Sequence, residues 1–80
     1  MAELVELSGQ EVVLADGFDE AIIGIDLNSP KPRVIYDQYK IINTLRRDSS
    51  MTEEEAQEFF DYNIAGAYMG EQTPIYVHPI

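Results

Sequence analysis

The stretch EVVLADGFDEAIIGID, residues 11–26, decides how the fold is read. Two short apolar runs, EVVLA (11–15) and AIIGID (21–26), flank DGFDE, which begins with the Asp-Gly pair favoured in tight hairpin turns. This pattern predicts a β-hairpin between the two runs. AIIGI is apolar at consecutive positions, so its strand is expected to be covered on both faces. Gly24 within it marks a bulge or a close approach of backbone.

Working outward, NSPKP (28–32) reads as a loop, and RVIYD (33–37) has the β-branched and aromatic content of a third strand. In DQYKIINTLRRD (37–48), Tyr39, Ile42 and Leu45 recur at threes and Ile41 adds a contact to Leu45, which is helical spacing. Asp37 is placed to cap that helix, and Arg46 and Arg47 fall in its last turn, where cations suit the dipole. DSS (48–50) separates it from a second helix.

That second helix opens with MTEEEAQEFF (51–60), four glutamates without a basic residue. Thr52 followed by Glu55 forms a capping box, with Met51 before it where a hydrophobic staple would pack against Ala56. Glu53 and Glu54 sit near the positive end of the dipole. Helix initiation therefore accounts for most of the cluster. Ala56, Phe59, Phe60, Asn63, Ile64 and Ala67 supply the expected buried stripe. Glu54, Glu58 and Asp61 align on the other side with no cation to answer them, an arrangement that weakens the isolated helix. Gly70 is expected to close the helix, and TPIYVHP (73–79), framed by Pro74 and Pro79, reads as an edge strand.

The expected fold is thus a single α+β domain over 1–80, with residues 1–10 a flexible lead. Its elements run β-β-β-α-α-β, an antiparallel sheet with a helical hairpin on one face. A chain of 80 residues buries only a modest core, so each of its five tyrosines and three phenylalanines matters.

Charge bounds the function. The net charge is −10, which opposes direct binding to nucleic acid or an anionic membrane. Residues 1–30 hold seven acids and no base; residues 31–47 hold all five bases and one acid; residues 48–80 hold seven acids and no base. The basic middle is expected to be clasped by its acidic flanks. With no cysteine there is neither a disulfide framework nor a Cys-based zinc site. The start of the chain lacks the basic and long apolar regions of a signal peptide, and no run is long enough to span a bilayer. His78, the only histidine, lies near the chain end, where a catalytic base is not expected. DGFDE lacks the alternating ligand positions of an EF-hand. No phosphate-cradling or dinucleotide motif is present. These observations predict a non-enzyme without cofactor or metal.

GFDEAIIGI, RVIYD and MTEEEAQEFFDYNIAGAYMGEQTPIYV together resemble a group of small acidic proteins encoded in bacteriophage genomes. The resemblance covers roughly residues 17–78 and rests mainly on the last segment. It implies a bacterial host cytoplasm as the setting and no particular chemistry. The leading expectation is an interaction protein that modulates a host protein, such as a component of host defence, by docking on its basic surface, with nucleic-acid mimicry as the extreme case. Glu54, Glu58, Asp61 and Tyr62 would form the docking face, with Asp16, Asp19 and Glu20 as a second patch. An alternative places a small anionic ligand or nucleotide on Lys31, Arg33, Lys40, Arg46 and Arg47, between subunits of a homo-oligomer. A third is a structural accessory role.

Overall fold

Two residues set the first turn. Ser8 and Gly9 both take positive φ, 51° and 79°, the combination that a two-residue hairpin turn requires and that matches the twist of the strands it joins. They connect β1 (Ala2–Leu7) to β2 (Gln10–Ala15) in antiparallel register, Leu7 opposite Gln10 and Val5 opposite Val12. The computed structural model describes residues 2–15 and 17–79. The hairpin expected between residues 11–15 and 21–26 is therefore corrected: β2 pairs backwards with β1, in a segment to which the sequence reading assigns no element. Asp16 lies outside the described residues. Gly17, at φ 93°, leads instead into a 3-10 turn at Asp19–Ala21.

The second sheet has three strands in the order β3 (Ile22–Asp26), β4 (Arg33–Asp37), β5 (Ile75–Val77). The first pair is antiparallel with a register shift between Ile22 and Gly24, the bulge that the strand glycine signals. Asp26 shapes the connection, its carboxylate accepting from the Asn28 amide and the Ser29 hydroxyl, both at 2.8 Å. The second pair is parallel, which corrects the single antiparallel sheet. A parallel partner needs a long crossover, and both helices lie in the connection from β4 to β5. As expected, β5 is an edge strand. So is β3, which corrects the expectation that it is covered on both faces: Ile23 is 51% exposed.

Helix α1 (Gln38–Ser49) follows β4 directly. Buried Asp37 caps it by accepting from the Tyr39 and Lys40 amides at 2.9 and 3.3 Å. It buries Ile41, Ile42 and Leu45; Tyr39, expected on the same stripe, is exposed. Ser50, in the left-handed region, ends it. Helix α2 (Glu53–Phe59) runs on into a π-helical segment, Phe60–Ala65, that closes at Gly66 rather than Gly70. The protein is thus a small α+β fold of two sheets and two helices. One core unites them: Val12 and Leu14 from β2, Val34 and Tyr36 from β4, the three α1 residues, and Ala56, Phe60 and Ile64. Tyr76 stacks on Tyr36 with ring centroids 5.7 Å apart and meets the Phe60 ring edge-on at 5.2 Å.

Candidate functional site

The capping box that starts α2 is formed on both sides. The Glu55 amide donates to the Thr52 hydroxyl at 3.2 Å, and the Thr52 amide donates to the Glu55 carboxylate at 2.9 Å. The Thr52 amide, with the Thr52 hydroxyl second, holds the Glu55 pKa below the usual carboxylate range. Glu53 reaches across to Arg46 on α1 at 3.7 Å. Two of the cluster's four glutamates are thus engaged in fixing the helix. Glu54 and Glu58 have no ion-pair or hydrogen-bond partner among the described residues. Asp61 accepts from the Gln57 side chain at 3.1 Å, one turn back, so its partner is an uncharged amide and its negative charge stays on the face.

The π-helical segment decides which side chains join these acids. Buried Ala56, Phe60 and Ile64 recur at a spacing of four. In an α-helix that row would rotate away from the core, whereas the wider π turn keeps it facing inward. The residues between are turned out. Phe59 and Asn63, expected in the buried stripe, are both exposed, Phe59 by 39%. Tyr62 is 82% exposed, as expected. Met51, Glu55, Glu58, Phe59, Tyr62 and Asn63 line a shallow open groove of about 350 Å³. Phe59 is the residue that sequence reasoning missed. Its signal was the strict spacing of four, which leaves room for only one of the two adjacent phenylalanines.

The structure does not gather the remaining candidates at this face. Asp19 and Glu20 border another pocket with Thr44, Arg47 and Asp48, and Glu20 lies 3.7 Å from Arg47. Asp16 lies outside the described residues. The five bases are distributed over separate places. Lys31 pairs with Glu71 at 3.1 Å, the Arg33 guanidinium donates to the Thr73 carbonyl at 2.6 Å, and Arg46 pairs with Glu53. Arg47 binds Asp48 at 2.9 Å and shares a shallow pocket with Lys40 and Glu20. Those contacts raise the Arg47 pKa and lower that of Asp48, the pair's own hydrogen bond being the main cause in each. Lys31, Arg46 and Arg47 thus meet acids from the flanking segments, the clasp expected from the charge pattern, and no convergent cluster of five cations forms. Every one of these pairs is exposed, a setting in which an ion pair contributes about 0–1 kcal/mol.

Among the described residues, no three His, Cys, Asp or Glu side chains are grouped to hold a metal ion, and no helix is long and apolar enough to cross a membrane. Comparison with protein-family models, with curated proteins and with solved structures gave no match.

Proposed function

We propose that this is a non-enzymatic interaction protein that docks on a partner through the outer face of α2, and that the partner's surface is basic. The observation that carries this reading is the Phe59–Tyr62 pair, exposed along a shallow groove that Glu58 also lines, while Glu58 and Glu54 one turn before it have no cation partner among the described residues. Aromatic side chains at the centre of a polar rim are the usual anatomy of a protein interface. The rim's sign fixes the partner's, and the −10 net charge steers it. Two rings among the carboxylates favour an apolar protein surface rimmed by Lys and Arg over plain imitation of a phosphate row. By the resemblance to small phage proteins, the partner is a host protein and the setting a bacterial cytoplasm.

The spread of the five bases gives the anionic-ligand reading no single site, so it ranks second. Affinity capture from nuclease-treated bacterial lysate tests the first. One dominant co-purifying protein is expected, lost when Glu54, Glu58 and Asp61 are replaced by lysine. Its retention by that variant removes the α2 face from the account.

A further inference from the structure

A second cleft, which shares no residue with the α2 groove, lies between α1, α2 and the end of β5. Its place follows from the parallel strand pair. Asp37 and Val77 are partners in that pair, so Gln38 and His78, the next residues, both leave the sheet at its carboxyl end, and both line the cleft. Sheets with parallel strands place ligands outside the carboxyl ends of those strands. The cleft holds about 180 Å³, about six times a water molecule's share of the liquid. That is room for a small metabolite.

Its two helical walls differ in hydrogen-bonding sense. On α1, Asn43 and Arg46 are three residues apart and so neighbours on one face, and Arg46 offers only donors. On α2, Glu53 and Gln57 are four apart. The Gln57 amide nitrogen donates to Asp61 at 3.1 Å, which leaves its carbonyl oxygen, like the Glu53 carboxylate, as an acceptor. Arg46 and Glu53 stand 3.7 Å apart, too far for a hydrogen bond. Neither has another ion-pair partner among the described residues. One cation and one anion thus face each other across the cleft with their hydrogen-bonding capacity open. Buried Ile42 and the exposed Tyr39 ring supply its apolar part.

We infer that this cleft binds a small zwitterion, an α-amino acid with a short apolar side chain. Its carboxylate takes the donors of Arg46 and Asn43, and its ammonium takes the acceptors of Glu53 and Gln57. The side chain lies against Tyr39 and Ile42. Charge-assisted hydrogen bonds at both ends are the strong kind. A simple anion would meet Glu53 and the −10 charge of the chain, and a simple cation would meet Arg46, so the cleft suits a ligand that carries both signs. This inference does not rest on the Phe59–Tyr62 face.

The probe is L-leucine, titrated into the isotope-labelled full chain and followed by amide chemical shifts. Saturable shifts are expected, centred on Tyr39, Asn43, Arg46 and Gln57. N-acetylleucine, which lacks the ammonium, and leucinamide, which lacks the carboxylate, are each expected to bind at least about tenfold more weakly. Arg46→Gln and Glu53→Gln are each expected to weaken leucine binding by the same factor. Their thermal midpoints should stay near the parent's, because an exposed ion pair adds little to stability. Tyr62→Ala is expected to leave leucine binding unchanged. Absence of saturable shifts with leucine, or undiminished binding by both charge variants, overturns the proposal. So does either blocked analogue binding as tightly as leucine, which gives the cleft to a ligand of one sign.

Discussion

The Tyr36 hydroxyl accepts a hydrogen bond from the Ala15 amide at 2.8 Å, and this contact ties β2 in one sheet to β4 in the other. Tyr36 is fully buried. Its ring stacks on Tyr76, which in turn meets Phe60, so a single side chain links both sheets to the helical layer. Tyr76 differs sharply. Its hydroxyl is buried and has no hydrogen-bond partner among the described residues.

The two tyrosines should therefore respond in opposite ways to loss of the hydroxyl. Tyr36→Phe leaves the Ala15 amide unsatisfied in the interior and should destabilise by about 1–3 kcal/mol. Tyr76→Phe removes an unpaired polar atom and keeps the ring contacts, so it should be neutral or stabilising. Urea unfolding of the two variants beside the parent chain checks the contrast.

Alkaline pH probes the same pair. Burial first, and neighbouring Tyr36 second, push the Tyr76 pKa from 10.0 up to about 12. Burial likewise raises that of Tyr36. The fold prefers the neutral phenols, so their contribution is complete below pH 10 and is lost as pH rises through the folded value. Stability should fall between about pH 10 and 12, and less steeply in Tyr76→Phe. Thermal midpoints across that range measure it.

The α2 cap gives a prediction of the other sign in pH. Hydrogen bonds lower the folded pKa of Glu55 and also that of Asp26, through the Asn28 amide first and the Ser29 hydroxyl next. Their contribution is present above the ordinary carboxylate range and disappears as pH falls through the lowered values, below about pH 4. Thr52→Ala should destabilise by about 1 kcal/mol at neutral pH, and Glu55→Gln, which removes the titrating carboxylate, should flatten the acid limb, as followed by circular dichroism.

Glu6 and Glu11 are paired across the β1–β2 hairpin, where like charges oppose one another. Glu11→Lys should stabilise by roughly 0.2–1 kcal/mol, with the gain shrinking in high salt. Denaturant titration at two ionic strengths decides this.

The elements were more legible in the sequence than their pairing. Apolar runs located β2, β3, β4 and β5, and the caps at Asp37 and Thr52 located both helices, because those signals are local. Pairing depends on which of two Gly-containing turns closes a hairpin. Asp16-Gly17 was the stronger motif, but Ser8-Gly9 joins strands with matching alternation and leaves β2 free to put Val12 and Leu14 into the shared core. Tyr36 could not be told from the exposed tyrosines, since its role is a contact 21 residues away in the chain. At the candidate site, Glu54, Glu58 and Tyr62 were readable from helical spacing. Phe59 was misassigned to the buried stripe: a helical period of 3.6 admits both adjacent phenylalanines, and only the spacing of four from Ala56 through Phe60 to Ile64 singles out the other one.

The central claim, that the α2 face docks a basic partner, is tested most directly by a charge-matched comparison. Glu54→Lys with Glu58→Lys, and separately Glu6→Lys with Asp19→Lys, change the net charge equally at different places. Each double variant, together with Tyr62→Ala, would be measured by calorimetry against the partner captured by the parent chain. The account predicts that the α2 pair and Tyr62→Ala each lose at least about tenfold in affinity, while the distant pair binds within a few-fold of the parent. Equal losses in the two double variants, with no loss in Tyr62→Ala, would contradict it and leave only the overall charge as the attraction.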